Sequence, residues 1–285
     1  MSTPVTPQMV KQLRDRTDLP MGDCKTALVE ANGDAEKAIE ILRSKFAKMS
    51  AKREGSETAE GRIGAYVDNA NKRAAIVEMR CETAPSAKSD QFIALANDLA
   101  KHVAASPAKD VAGVMAEKFG TGTIQDRIND VVGVIREKMI LHRFQKLEGG
   151  IYGSYVHHDG TVGVILECKG GAANDEVLRD VAAHIAALNP PYATAADVPA
   201  DVVAKEKGLV MADIAGDPKN AGKPANILEK IAEGKLKTRL AEVVLAEQPM
   251  ANVGKYPNTT VGAALKKAGL EPVRFVRFKV GAVAL

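Results

Sequence analysis

The sequence predicts an α+β protein. It has a short three-helix head, two duplicated α+β core subdomains with antiparallel sheets, and a helical hairpin arm inserted in the second. Three internal matches carry this expectation. Glu60-Gly61-Arg62-Ile63-Gly64-Ala65-Tyr66-Val67 is answered by Glu148-Gly149-Gly150-Ile151-Tyr152-Gly153-Ser154-Tyr155-Val156. The apolar run Ala74-Ala75-Ile76-Val77-Glu78-Met79-Arg80-Cys81 returns as Val162-Gly163-Val164-Ile165-Leu166-Glu167-Cys168. Leu99-Ala100-Lys101-His102-Val103-Ala104-Ala105, stopped by Pro107, returns as Val181-Ala182-Ala183-His184-Ile185-Ala186-Ala187, stopped by Pro190-Pro191. Two copies are too few for a solenoid and point to an internal duplication.

Taken in order, residues 1–48 form the head. Thr6 caps a first helix with Pro7 in its first turn, and Val10 and Leu13 give it an apolar edge. Pro20 opens a second helix with Cys24, Ala27 and Leu28, which ends at Asn32-Gly33. Asp34 caps a third, with Ala38, Ile39, Leu42 and Phe46 at helical spacing. Residues 49–59 read as a polar linker, its basic start at Lys48, Lys52 and Arg53 a solvated helix end.

The first subdomain spans 60–145. Strands at 63–67 and 75–81 flank a turn at Asn69-Ala70-Asn71-Lys72. A loop from Glu82 to Ser89 leads to a helix with Phe92, Leu95, Leu99 and Val103. A further helix carries Val111, Val114, Met115 and Phe119. After a break at Gly120-Thr121-Gly122, Thr123 caps a helix with Ile124, Ile128, Val131 and Ile135, and Met139-Ile140-Leu141 resumes strand character. The second subdomain spans 146–285, with the arm at about 198–240 turning at residues 216–224 and Gly234 marking a break. Strand-like residues 242–245, a short helix at 260–268 and a last strand at 273–280 complete it.

Composition narrows the function classes. A chain of 285 residues suits about two domains, and 46% hydrophobic residues supply a core, although aromatics are only 4%. Lys+Arg 39 against Asp+Glu 36 leaves +3, too balanced to indicate a nucleic-acid surface. Cys24, Cys81 and Cys168 lack metal-ligand spacing, and an odd number without pairing suits a reducing cytoplasm. No apolar run has the length of a membrane span, and the first residues lack targeting character.

No catalytic constellation emerges. Gly222-Lys223-Pro224 lacks the glycine spacing of a phosphate loop, and His157-His158 beside Asp159-Gly160 mark a hairpin turn rather than a zinc site. No serine or cysteine has a nucleophile signature, and no cofactor or metal is expected. His102 and His184 lie on alanine-rich helical surfaces, where a structural histidine and a docking contact both stand as readings.

Several blocks then carry a likeness. The run Leu13-Arg14-Asp15-Arg16-Thr17-Asp18-Leu19-Pro20-Met21-Gly22-Asp23-Cys24-Lys25-Thr26-Ala27-Leu28, with Glu30-Ala31-Asn32-Gly33-Asp34, closely resembles the opening of the bacterial translation elongation factor Ts family. Glu60-Gly61, Leu147-Glu148-Gly149, Gly222-Lys223-Pro224, Ile231-Ala232-Glu233-Gly234-Lys235 and Gln248-Pro249 follow in the family's order over nearly the whole chain. The resemblance implies a ubiquitin-associated-like head and a guanine nucleotide exchange factor for the GTPase elongation factor Tu, with no chemistry of its own. It implies partner contacts at Arg14 and Met21 on the head, Arg53 in the linker, and Val162, Gly163 and His184 in the second subdomain. It also offers the arm as a possible site of self-association, as in some relatives. The alternative is a non-catalytic binding module acting through the head alone.

Two departures stand out. The family presents Thr-Asp-Phe-Val where this chain has Thr83-Ala84-Pro85-Ser86. The acid and the aromatic wedge that intrude beside the partner's Mg²⁺ are thus Ala84 and Pro85, and a blunter insertion is expected. The sequence ends at Leu285, and the extra C-terminal helix of some members is expected to be absent.

Overall fold

The computed structural model describes residues 4–220 and 222–282. Ala221 of the arm turn and the terminal Val283-Ala284-Leu285 lie outside the described residues. The head consists of α1 (Pro7–Thr17), α2 (Met21–Glu30) and α3 (Ala35–Lys52). Thr6 accepts from the Met9 N–H at 3.3 Å and Asp34 from the Lys37 N–H at 3.1 Å, each cap worth about 1 kcal/mol. Asp18, Asn32 and Gly33 supply the left-handed turns between helices. α3 continues through Lys52, into the expected linker. Met49 keeps it helical by packing against both the head core and the first subdomain.

The first subdomain adds β1 (Glu60–Asp68), β2 (Arg73–Cys81), α4 (Ala84–Ala87), α5 (Asp90–Ala105) and α6 (Val111–Ala116). The two-residue β3 (Lys118–Phe119) and β4 (Gly122–Thr123), then α7 (Ile124–Ile135) and β5 (Met139–Glu148), follow. The helix expected to reach Phe119 stops at Ala116, because Phe119 pairs with Gly122 in a tight hairpin around Gly120 (φ 58°). Thr123 and Asp126 then form a reciprocal cap on α7. β1, β2 and β5 make one antiparallel sheet in that order. β5 runs past residue 145 because Leu147 pairs with Ala74 in the buried ladder, so the first sheet closes at the Gly149 turn.

The second subdomain comprises β6 (Ile151–Val156), β7 (Val162–Gly170), α8 (Asp175–Leu188), α9 (Ala200–Gly216), α10 (Ala225–Val243), α11 (Val261–Lys267) and β8 (Leu270–Lys279). Its antiparallel sheet is ordered β6-β7-β8. Two expectations are corrected. Gly234 does not break α10: one glycine costs about 1 kcal/mol, too little to interrupt a helix of 19 residues buttressed by Ala232 against α9. Residues 242–245 are no strand: α10 reaches Val243, Val244 makes a single bridge to Tyr192, and Leu245–Glu247 is a 3-10 turn.

The two sheets pack face to face, with Ile63, Ile76, Leu147, Tyr152 and Ile165 between them. α5 and α7 cover one outer face and α8 and α11 the other. Asn69 bridges the sheets: its amide donates to the Tyr152 carbonyl at 2.9 Å and its oxygen accepts from the Tyr152 N–H at 2.7 Å. The duplication extends to side-chain roles. Glu78 faces Arg143 across β2–β5, and Glu167 faces Arg274 across β7–β8, with a register slip directly after each glutamate. A Cβ on Gly64 would meet the Ala96 carbonyl at 2.3 Å, and one on Gly153 would meet Leu178 at 2.5 Å. In both subdomains, therefore, strand and helix touch at a glycine. Ile63 and Tyr152, opposite Glu78 and Glu167, occupy equivalent places.

Candidate partner-binding surface

Arg14 is exposed near the end of α1, and Met21, 51% exposed, opens α2 just beyond the Asp18-Leu19-Pro20 connection. The corner carrying both is braced against the first subdomain. Phe46 and Leu19 press on Gly133 of α7, where an added Cβ would lie 2.6 Å from the Phe46 ring. Asp23 binds Lys45 at 2.7 Å and Arg136 at 2.5 Å. Burial alone would raise its carboxyl pKa; the two cations outweigh it and hold the group below its ordinary value.

The segment expected as a loop is a short helical turn, α4. Pro85 fits the first turn of α4, where a missing N–H costs nothing. Ala84 is half-buried, Pro85 exposed and Ser86 buried. Glu82 receives both bonds of Arg53 Nη1, at 2.9 and 3.0 Å, and the Lys138 N–H at 2.6 Å. That backbone donor, opposed by burial and helped by Arg53, lowers the Glu82 pKa. Arg53, expected to face the partner, thus spends its guanidinium partly within the molecule. Thr83 donates its N–H and its hydroxyl to Glu137, at 3.1 and 2.7 Å.

Of the three candidates in the second subdomain only Val162 reaches the surface, half-buried at the start of β7. Gly163 lies between the sheets, where a Cβ would strike Ile63 at 2.4 Å. It lets the sheets approach and presents no side chain outward. His184 is 2% exposed. Its Nε2 donates to Gln248 Oε1 at 2.8 Å and its Nδ1 accepts from the Ala251 N–H at 3.1 Å. It therefore ties α8 to the chain returning from the arm.

Burial holds the His184 pKa below the ordinary 6.5, against the opposing Gln248 bond. As pH falls the unfolded chain takes up this proton first. Stability from the site is complete above the unfolded value and lost below it. Unfolding in denaturant at pH 7.5 and 5.0 is expected to show a loss of stability that is smaller in His184→Gln, the remainder including His142, whose pKa burial also lowers; an unchanged difference in the variant would refute the assignment.

One cluster resembles hydrolytic machinery and is ordered against it. Ser106 donates to Glu117 at 2.6 Å, and His102 Nε2 lies 2.6 Å from the other oxygen of Glu117. The carboxylate sits between serine and histidine, so the imidazole cannot take the serine proton. The buried thiols of Cys81 and Cys168 are pushed up to about 12 by burial and remain protonated. Among the described residues no three His, Cys, Asp or Glu side chains are grouped to hold a metal ion. No described helix is long and apolar enough to cross a membrane.

The architecture defines a class: a duplicated two-sheet core bearing a braced helical head and a helical arm. A family model described as Elongation factor TS matches residues 82–282. Elongation factor Ts of Methylococcus capsulatus is 41% identical over 97% of this chain and 92% of its own length. The Alcanivorax borkumensis protein of the same name is 42% identical over 96% and 93%, and that of Cellvibrio japonicus 40% over 97% and 91%. The chain belongs to the elongation factor Ts family and is, by that membership, a translation elongation factor acting in protein biosynthesis.

The contacts missed from sequence are those of Glu137, Glu82 and Asn69. Each acts on a partner far along the chain, and the one local hint was the charged run Arg136-Glu137-Lys138 between a helix and a strand.

Proposed function

We propose that this chain binds elongation factor Tu in the cytoplasm and promotes release of its GDP so that GTP can rebind. Family membership over nearly the full length is the observation that carries the reading. The physical logic is linkage. A factor that grips the vacant GTPase more tightly than the GDP-filled one must weaken GDP binding by the same ratio. Such a factor needs surfaces and no bond-making groups, and it needs no cofactor.

In this reading Arg14 and Met21 present the head to the partner's nucleotide domain, with Arg53 behind them fixing Glu82. Val162 meets a second domain of the partner, while Gly163 and His184 shape the ground beneath it. Ala84-Pro85 supplies a short, stiff insertion. The arm, with Leu209, Met211 and Ile227 exposed, is where self-association would occur. A module working through the head alone is the weaker reading, because Phe46 and Asp23 fasten the head to the core.

The test follows release of fluorescent GDP from elongation factor Tu under excess unlabelled nucleotide. Acceleration by catalytic amounts of this chain is expected; binding without acceleration would leave the module. Ala84-Pro85 replaced by Asp-Phe should change the stimulated rate, and an identical rate would show that the turn contributes nothing.

A further inference from the structure

We infer that Glu137 is a positioning residue for the Thr83–Ser86 turn, holding its apolar tip where a partner meets it. The functional half of this inference rests on the exchange reading above. Ala84 and Pro85 carry no polar side-chain group, so their aim is set by the residues before them. Both of those are gripped from one place. Glu82 accepts the Lys138 N–H at 2.6 Å, and Thr83 gives its N–H and hydroxyl to the two oxygens of Glu137 at 3.1 and 2.7 Å. A two-point bond to one carboxylate fixes direction as well as distance.

The clamp itself has a firm base. Arg136, in a left-handed conformation (φ 67°), reaches Asp23 of the head at 2.5 Å. Lys138 Nζ is bonded to the carbonyls of Glu54 and, at 3.0 Å, Ser56. Three successive residues thus hold the head, the turn and the linker. Glu137 is the member whose side chain is given wholly to the turn. Thr83 caps no backbone N–H of α4, and its hydroxyl lies 3.2 Å from Ser86 Oγ as the alternative partner to Glu137; without Glu137 the start of that turn loses its external acceptor.

Two measurements on the full chain test this, with Glu137→Ala removing both acceptors and Glu137→Gln keeping one. The first is independent of any partner. Amide exchange at Thr83 should rise about threefold in Glu137→Ala, as expected for loss of a solvent-exposed charge-assisted bond, and less in Glu137→Gln. The second is stimulated GDP release from elongation factor Tu. The maximal rate should fall about tenfold in Glu137→Ala, with the half-saturating concentration within about twofold of the unmodified chain. Far-ultraviolet circular dichroism checks folding, and Glu137→Gln serves if the alanine variant is unfolded. Unchanged exchange at Thr83 overturns the positioning role whatever the kinetics. Faster exchange with an unaltered maximal rate, or a loss confined to half-saturation, overturns its functional part. An unmodified chain that fails to accelerate release refutes the exchange reading, and with it that functional part; amide exchange then decides the positioning alone.

Discussion

Glu78→Ala is expected to cost about 3–5 kcal/mol of folding stability, the penalty for stranding buried charge. Glu78 is fully buried and accepts from Arg80 at 2.8 Å, Arg143 at 2.6 Å and the Gly281 N–H at 3.1 Å. Removing it leaves two arginines facing each other in a desolvated corner and a backbone donor without its acceptor. Arg143 cannot easily swing away, since it lies 4.4 Å over the Phe278 ring and also bonds the Lys279 carbonyl. Denaturant unfolding measures the loss. The equivalent Glu167→Ala provides an internal comparison: its partner Arg274 has a side chain 57% exposed, so that pair should be worth about 1 kcal/mol or less. Glu78→Ala/Arg143→Ala should cost less than the sum of its single variants. A cost for Glu78→Ala no greater than for Glu167→Ala would contradict the account.

Phe46→Ala is expected to lose about 3–5 kcal/mol and to uncouple the head from the core. The ring is fully buried, fills the head's interior and seats on Gly133 beside Leu19. Arg136 lies 6.0 Å over the same ring while binding Asp23. Truncation therefore hollows the small helical core and empties the socket on α7 together. Calorimetry should show an added low-temperature transition for the head; one transition at the original temperature would refute the coupling. In the proposed function, the variant should need more protein for half-maximal GDP release.

Local chemistry made much of the fold legible. Thr6, Asp34 and Thr123 cap helices where their residue types and positions indicate, and the apolar runs at 74–81 and 162–168 are central strands. Errors arose where tertiary contacts outweighed local signals. Met49 extends α3 by packing on a second core, and α9 supports α10 across Gly234. The equivalence of Glu78 and Glu167 rests on arginine partners on strands far along the chain. The candidate surface was less legible. Arg14 and Met21 are exposed. Gly163 and His184 are inside, and burial is a property of the assembled sheets. The Glu137 clamp joins residues 54 apart, a distance at which spacing carries no signal.

The sheet-to-sheet contact, with Gly163 against Ile63 and Asn69 against Tyr152, has a consequence for how the repeats depend on each other. Each inner face is an oily wall whose only fitted lid is the other repeat, so a severed half would expose a sticky flank in water. Covalent linkage keeps the two walls at high effective concentration. A gene carrying one repeat would have to find its lid in a second molecule of itself.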